Sequence, residues 1–143
     1  MNAFQESYTQ ILEEIRSVLD RVDYRQIRGL VNAILSADKV FLIGVGRVML
    51  VLKTFCKRLN HLGIRAHCVG DVNEPAIGDK DLLIVGSGSG ESVVPVAIVR
   101  VAGKSKPKIA HIGSNPHSSL EPISDIFVRI PTVTKSKLDG EMQ

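Results

Sequence analysis

The sequence contains no tryptophan, and aromatic residues make up only 4% of its 143 residues. A hydrophobic core therefore has to be built mainly from Val, Ile, Leu and Ala. Aliphatic cores of this kind are typical of parallel sheets that helices cover on both faces. The composition thus favours an α/β fold, in a chain of ordinary single-domain length.

Cysteine is also scarce, because only Cys56 and Cys68 occur and their surroundings do not resemble a disulfide framework. With His61 and His67 they do not form a zinc-ligand spacing, so we predict no metal site and no cofactor. No apolar run approaches the ~18 residues of a membrane span, and no apolar signal segment opens the sequence. We therefore expect a cytoplasmic protein without a membrane partner.

Basic residues are not clustered, although Lys and Arg exceed Asp and Glu by a net charge of +3. A nucleic-acid-binding protein more often shows a basic stripe with interleaved aromatic residues. The strongest basic run, residues 104–108, is interrupted by Ser105 and Pro107, which indicates a solvated turn. We expect no nucleic-acid partner.

Two amphipathic helices are predicted before the first strand, from Phe4 to Leu19 and from about Tyr24 to Ser36, the second with Asp23 as its N-cap. Apolar residues recur at helical spacing on one face of each. They are Ile11, Leu12, Ile15, Val18 and Leu19 in the first helix and Ile27, Leu30, Val31, Ile34 and Leu35 in the second. A bare nucleotide-binding βαβ unit needs neither helix, so residues 1–36 are expected to serve a subunit contact.

From Lys39 onward, short aliphatic runs alternate with helical segments. The predicted strands are Val40–Ile43, Ala66–Val69, Leu82–Val85, Ile109–Ile112 and Ile126–Ile130. The predicted helices are Val48–Leu62, with Gly63 as its left-handed cap, Ser92–Ala102 and a short one near Ser118–Ile123. This alternation predicts a doubly wound, five-stranded parallel sheet in residues 37–131, followed by a polar tail in residues 132–143.

Three loops rich in glycine and polar residues follow the first, third and fourth predicted strands. They cover residues 44–47, 86–92 and 113–119. Ligands of doubly wound sheets bind beyond the carboxyl ends of the strands, where the strand order reverses. We therefore expect the three loops to line one site.

The loop of residues 86–92, GSGSGES, has the chemistry of an anion site. Its glycines let the backbone approach a ligand, and the N–H groups and dipole of the following helix favour a negative charge. The hydroxyls of Ser87, Ser89 and Ser92 add donors. The loop lacks the Gly-Lys-Ser/Thr ending of a nucleoside-triphosphate loop, so a monophosphate fits it better than ATP.

Several spaced motifs resemble the sugar-isomerase (SIS) domain family. GDKDLLIVGSGSGES, preceded by EPAIG, resembles the family's phosphosugar loop. FLIGVGR with KRLNHLG resembles the first strand, loop and helix of its 6-phospho-3-hexuloisomerases, and IGSNPHSSLEPISDIFVRIP resembles their fourth loop and last strand. The resemblance runs from about Gln5 to Gly140, and it implies one SIS domain with a flavodoxin-like strand order.

The resemblance implies a sugar-phosphate isomerase, usually homodimeric or homotetrameric, that interconverts 3-hexulose 6-phosphate and fructose 6-phosphate without metal or nucleotide. The resemblance implies two groups of site residues for a phosphorylated sugar, one for the phosphate and one for the sugar of the substrate. The serines of the loop, with the backbone of Gly88 and Gly90, would hold the phosphate, and Gly46 and Arg47 would line the sugar side. Ser114 and Asn115 are further candidates for substrate binding.

Isomerisation through an enediol needs a base that moves a proton between neighbouring carbons. Glu91 is a candidate beside the presumed phosphate, and His61, which matches a histidine of the closest subfamily, could reach the site of a neighbouring subunit. Structural roles compete with both, because an acid in a first helical turn and a histidine near a helix end also interact with the helix dipole. Arg47 could contact a phosphate or form a surface ion pair.

The sequence departs from the family pattern in two places. Val48 and Met49 follow Gly-Arg where the family commonly has Ser and Gly, and the sequence ends at Gln143, before a helix that in the family carries a Glu proposed for proton transfer. A non-catalytic phosphosugar-binding domain or a truncated remnant therefore stays an alternative. A dinucleotide-binding domain is a second one, although Met49 replaces the third glycine of its motif and Asp71 lies late for the ribose contact.

Overall fold

The computed structural model describes residues 1–132 as four helices and five strands, together with short 3-10 turns. The elements are α1 (Ala3–Leu19), α2 (Tyr24–Ser36), β1 (Val40–Ile43), α3 (Gly46–His61), β2 (Ala66–Cys68), β3 (Leu82–Gly86), α4 (Val93–Ala102), β4 (Lys108–Gly113) and β5 (Ile126–Arg129). The predicted strands and long helices are confirmed to within two residues. The predicted short helix near Ser118–Ile123 is present as a single 3-10 turn over Glu121–Ile123, shorter than predicted.

All five strands are parallel and lie in the order β2-β1-β3-β4-β5. This confirms the predicted sheet and its flavodoxin-like order. From β1 the chain crosses to β2 on one side, whereas from β3 it crosses to β4 on the other. The strand order therefore reverses between β1 and β3, and a crevice is expected beyond their carboxyl ends.

The two central strands are buried along their whole length because helices cover both faces of the sheet. Successive side chains of a strand point to opposite faces. Accordingly, Leu42 and Ile84 pack in the cluster that includes side chains of α2 and α3, while Phe41, Leu83 and Val85 pack in the cluster that includes side chains of α4. The aliphatic runs in the sequence thus form a two-layered core.

Two predicted caps fix the helices that flank the sheet. Asp23 accepts a hydrogen bond from the Arg25 backbone N–H at 2.8 Å, at the start of α2. Gly63 has φ +82° just beyond α3, a conformation that L side chains rarely adopt. Both predictions are confirmed.

The predicted inner face of α2 is partly wrong. Leu30, Ala33 and Ile34 are buried, whereas Val31 and Leu35 are 46% and 71% exposed. The buried residues are spaced i, i+3, i+4 and form the stripe of α2 that packs in the core. The neighbouring apolar stripe therefore points away from the core.

The apolar stripe of α1 forms as a helix face but has nothing to cover it within residues 1–132. None of the side chains of α1 is buried, and Ile11, Leu12, Ile15 and Leu19 are each more than half exposed. In the same described range, no helix combines the length and the apolar character that a membrane crossing requires.

Candidate functional site

The loops after β3 and β4 are joined by hydrogen bonds at the carboxyl edge of the sheet. The Gly88 carbonyl accepts from the Ser114 backbone N–H and hydroxyl, both at 2.9 Å, and from the Asn115 backbone N–H at 3.2 Å. The Asn115 side-chain amide donates to the Ser89 carbonyl at 3.0 Å. The predicted convergence of these two loops is therefore confirmed. The side-chain donors of Ser114 and Asn115 shape the loop of residues 86–92, called the Ser-Gly loop below, and their contact with substrate stays a prediction.

The serine hydroxyls also fold the Ser-Gly loop upon itself. The buried Ser87 Oγ accepts from the Gly90 backbone N–H at 3.1 Å and lies 3.0 Å from Ser92 Oγ. Ser89 Oγ accepts from the Glu91 backbone N–H at 3.1 Å. Within the described part of the chain, no group accepts from the backbone N–H of Gly88 or Ser89. These two donors stay free for a ligand in a loop whose shape is already set.

The start of α4 adds further donors to this loop. Ser92 is the N-cap residue, but its side chain forms no hydrogen bond with the first amides of the helix. The first amides of a helix have no partner inside the helix. In α4 these amides belong to Val93 and Val94, because Pro95, at the third helical position, has no N–H. With the positive end of the helix dipole, these amides favour an anion beside the loop.

The loop packs closely on the residues beneath it. Gly90 has φ +68°, and a Cβ added there would collide with the Oγ and Cβ of Ser118. A Cβ added at Gly113 would collide with the Ser87 carbonyl. Both positions therefore require glycine because there is no space for a side chain. Gly90 requires it also for its left-handed backbone conformation.

Glu91 holds the two loops together from outside. Its carboxylate accepts from the Ser119 backbone N–H at 2.7 Å and from the Ser119 hydroxyl at 2.6 Å. The hydrogen bond from the Ser119 hydroxyl, followed by that from its backbone, lowers the pKa of Glu91 below its ordinary value of 4.5. A lowered pKa makes the carboxylate a weaker base. These contacts give Glu91 a structural role, which is to join the two loops. Its role in proton transfer stays a prediction.

The loop after β1 reaches the same edge, so all three predicted loops meet there. Val48, in the first turn of α3, lies against both strand ends, because a Cβ added at Gly86 would come within 2.7 Å of Val48 Cγ1 and one at Gly44 within 3.2 Å. Gly46 has φ +57° and opens α3. Arg47 is exposed and forms no salt bridge with residues 1–132. Val48 thus gives this edge of the sheet an apolar surface, and Arg47 is an exposed cation in the same loop.

His61 lies far from these loops within one chain. It is the last residue of α3, whose 16 residues begin at the site edge with Gly46. A helix of that length spans about 24 Å, so the exposed imidazole stands near the opposite edge of the sheet. Contact between His61 and the Ser-Gly loop requires a second copy of the chain.

The sequence interpretation missed His111, a fully buried residue of β4 that is 1% exposed. Its Nε2 lies 2.8 Å from the Ser87 carbonyl, and its ring packs on Phe127 with centroids 5.0 Å apart. Burial lowers the pKa of His111, and the hydrogen bond with Ser87 partly opposes that shift. A polar residue inside the aliphatic run 109–112 was the available signal.

Among residues 1–132, no group of three or more His, Cys, Asp or Glu side chains is arranged to hold a metal ion. The buried Cys68 thiol has its pKa raised to about 12, first by burial and then by the neighbouring Cys56. Cys68 is thus held as a neutral core residue at neutral pH, and Cys56 is buried beside it.

Comparison with known proteins identifies the family, although no protein-family model matches the chain. The 3-hexulose-6-phosphate isomerase of Bacillus subtilis is 33% identical over 138 residues, which cover 94% of this chain and 73% of the relative. The enzyme of the same name from Mycobacterium gastri is 36% identical over 126 residues, covering 88% of this chain and 63% of the relative.

A crystal structure from Methanococcus jannaschii, described as inferring a 3-hexulose-6-phosphate isomerase function, is 28% identical. It matches with a TM-score of 0.72 over 80% of this chain and 64% of that one. A crystal structure described as a sugar isomerase domain, of a transcription factor from Sphaerobacter thermophilus, shares the fold at a TM-score of 0.76 and 21% identity, over 94% of this chain and 79% of that one. The chain therefore belongs to the sugar-isomerase (SIS) family of sugar-phosphate isomerases, close to the 3-hexulose-6-phosphate isomerases.

Proposed function

We propose that the protein converts 3-hexulose 6-phosphate to fructose 6-phosphate and that it holds the substrate's phosphate on the Ser-Gly loop. The observation that carries this proposal is the preformed loop at the point where the strand order reverses. Its free amides at Gly88 and Ser89 and the start of α4 supply donors without a bound metal. Two relatives that bear the name of this activity are 33% and 36% identical to the chain over their aligned residues.

In this proposal, Ser87, Ser89 and Ser92 donate hydrogen bonds to the phosphate together with the backbone of Gly88, and the Gly90 backbone supports them. Ser87 and Ser92 hydroxyls already lie 3.0 Å apart, so one phosphate oxygen could accept from both. The Gly90 N–H bonds to Ser87 Oγ, so Gly90 acts through that hydroxyl, whose own hydrogen can point to the phosphate. Arg47 supplies a cation with which the phosphate can pair.

The proposed chemistry moves the carbonyl by one carbon. A base removes the proton from C2 of the 3-ketose, the C3 carbonyl oxygen gains a proton, and a 2,3-enediol forms. The C2 hydroxyl then loses its proton as C2 becomes the carbonyl, and a proton is delivered to C3. His61 of a second subunit and Glu91 are the candidate bases, and the lowered pKa of Glu91 favours His61.

We further propose that the chain works as a homodimer or homotetramer in which α1 packs against another copy. The helix buries no side chain of its own, and Phe4 and Leu12 are 76% and 60% exposed. Contiguous exposed apolar surface of this kind marks an interaction site. Assembly would also give His61 a route to a site in a neighbouring subunit.

A non-catalytic phosphosugar-binding domain is the second candidate, and the position of Val48 favours it. Its methyl groups occupy the space between Gly44 and Gly86 where a polar loop would meet a sugar. The dinucleotide alternative has weaker support, since the Met49 side chain packs against the core at the place of the motif's third glycine.

Turnover of 3-hexulose 6-phosphate, with fructose 6-phosphate detected by a coupled assay, tests the proposal. Ser87→Ala and Ser89→Ala should each weaken phosphosugar binding by about tenfold or more, because a hydrogen bond to a charged group contributes roughly 1.5–3 kcal/mol. Ser105→Ala, in the exposed turn after α4, is the matched control. Thermal protection by fructose 6-phosphate without turnover would leave only the binding function, and unchanged affinity in both serine variants would exclude the loop.

A further inference from the structure

We propose that His111 is a positioning residue for phosphate binding, which fixes the turn of the Ser87–Gly90 loop from behind. The proposal rests on the function proposed for this loop and deepens it. The ring is 1% exposed, so it acts through the loop and does not touch a ligand.

Neighbouring strands hold the imidazole in one place. In the sheet, His111 pairs with Val85 on β3 and with Phe127 on β5. The Phe127 ring lies tilted against the imidazole at 31°, with the centroids 5.0 Å apart. Because a ring packed in this way has little freedom to rotate, its Nε2 presents a fixed hydrogen-bond donor to the loop.

The loop bends around that ring. The Ser87 carbonyl lies 2.8 Å from Nε2 at the first loop position. At the fourth position, a Cβ added to Gly90 would come within 3.1 Å of the His111 Cε1 atom. These two loop positions, one bonded to the ring and the other with space beside it only for a glycine, are also the two joined by the Ser87 Oγ–Gly90 N–H hydrogen bond. Between them lie Gly88 and Ser89, whose amides are the free donors described above.

A neutral imidazole is suited to this task. With its hydrogen on Nε2 it donates to the Ser87 carbonyl without placing a charge in the core. Donors that are ordered before the ligand arrives reduce the entropy lost on binding. Loss of the donor would leave the Ser87 carbonyl without this partner and release the turn, so affinity for phosphate should fall while the catalytic groups stay in place.

The test compares His111→Gln, His111→Leu and His67→Leu, with isothermal titration of fructose 6-phosphate and of inorganic phosphate. Gln keeps an N–H donor on a flexible side chain and should bind within about threefold of the natural chain, whereas Leu should weaken both ligands by about tenfold. His67 on β2 is half-buried and also packs on an aromatic ring, that of Phe41. No hydrogen bond within residues 1–132 joins it to the loop, so it serves as the control for loss of a strand histidine. In steady-state assays, KM should rise more than kcat falls in the Leu variant.

Equal affinities for the Leu variant and the natural chain would overturn the proposal, as would an equal loss in the Gln and Leu variants. Hydrogen exchange of the Gly90 amide gives a readout that needs no ligand, because release of the turn should expose that amide in the Leu variant. If the natural chain binds no phosphosugar, the proposed function fails, and the exchange rate still decides whether His111 holds the turn.

Nitrogen NMR of the natural chain covers the case in which the Leu variant does not fold. The proposal requires the His111 tautomer with its proton on Nε2, at a shift that changes when phosphate is added. A ring protonated on Nδ1 alone would overturn it, since Nε2 could not then donate to the Ser87 carbonyl.

Discussion

Replacement of Gly90 by alanine should destabilise the protein more than any other glycine-to-alanine change at a positive φ. Two costs add at this position. A left-handed conformation costs an L residue about 1–2 kcal/mol, and forcing a methyl group into a filled space costs about 1–3 kcal/mol. The space is filled here because the new Cβ would collide with Ser118 Oγ and Cβ and approach His111 Cε1. The expected loss of unfolding free energy is therefore about 2–5 kcal/mol.

Gly63→Ala provides the control that separates the two costs. Gly63 also has a positive φ, +82°, but no atom lies within 4 Å of an added Cβ. Gly63→Ala and Gly90→Ala share two effects, the strain of the left-handed backbone and the lower conformational entropy of the unfolded chain. Urea unfolding monitored by circular dichroism should thus show a smaller loss for Gly63→Ala than for Gly90→Ala.

Ser118→Gly should rescue Gly90→Ala in a double-mutant cycle, because it removes both colliding atoms. The combined variant should recover the packing part of the loss and leave the strain that Gly63→Ala measures. Equal destabilisation by Gly90→Ala and Gly63→Ala, or no coupling between positions 90 and 118, would refute the close packing beneath the loop.

Three further predictions concern Glu91, α1 and His111. Ser119→Ala should raise the pKa of Glu91 toward 4.5, since the hydrogen bond from the Ser119 hydroxyl is the largest cause of its lowering. A carboxyl-carbon NMR titration measures the change, and an unaltered pKa would contradict the prediction. Leu12→Glu, on the exposed stripe of α1, should shift the chain toward monomer in sedimentation velocity, whereas Ser17→Glu on the opposite face should leave assembly unchanged. Burial lowers the pKa of His111 below 6.5, so the unfolded chain takes up a proton first as the pH falls. The free energy of unfolding should then decrease as the pH falls below 6.5, which urea unfolding at a series of pH values measures. The same decrease in His111→Gln would show that other groups cause it.

Strands β1 and β3 could be predicted because each is a short aliphatic run with a glycine at its carboxyl end. Val40–Ile43 and Leu82–Gly86 are buried on both faces, and an uninterrupted apolar run is the signal of such strands. Helix phase was harder at α2. Leu30 and Ile34 on one stripe and Val31 and Leu35 on the next are all apolar, so periodicity alone could not decide which stripe meets the sheet.

The loop chemistry could be located from the sequence, but its hydrogen bonds could not. Ser114 and Gly88 are 26 residues apart and meet only because β3 and β4 are neighbours in the sheet. Whether Ser114 donates to a ligand or to the Gly88 carbonyl depends on that register. The role of His111 was hidden for the same reason, since its partner Ser87 lies on the adjacent strand end.

The Gly88 carbonyl accepts hydrogen bonds from Ser114 and Asn115, so the loops after β3 and β4 depend on each other for their shape. A graft of the GSGSGES segment alone onto another parallel sheet would carry the amides without the groups that orient them. The transferable module is the segment together with the loop of the next strand, at a register in which Gly86 lies beside Ile112. An insertion in either loop would change the shape of both.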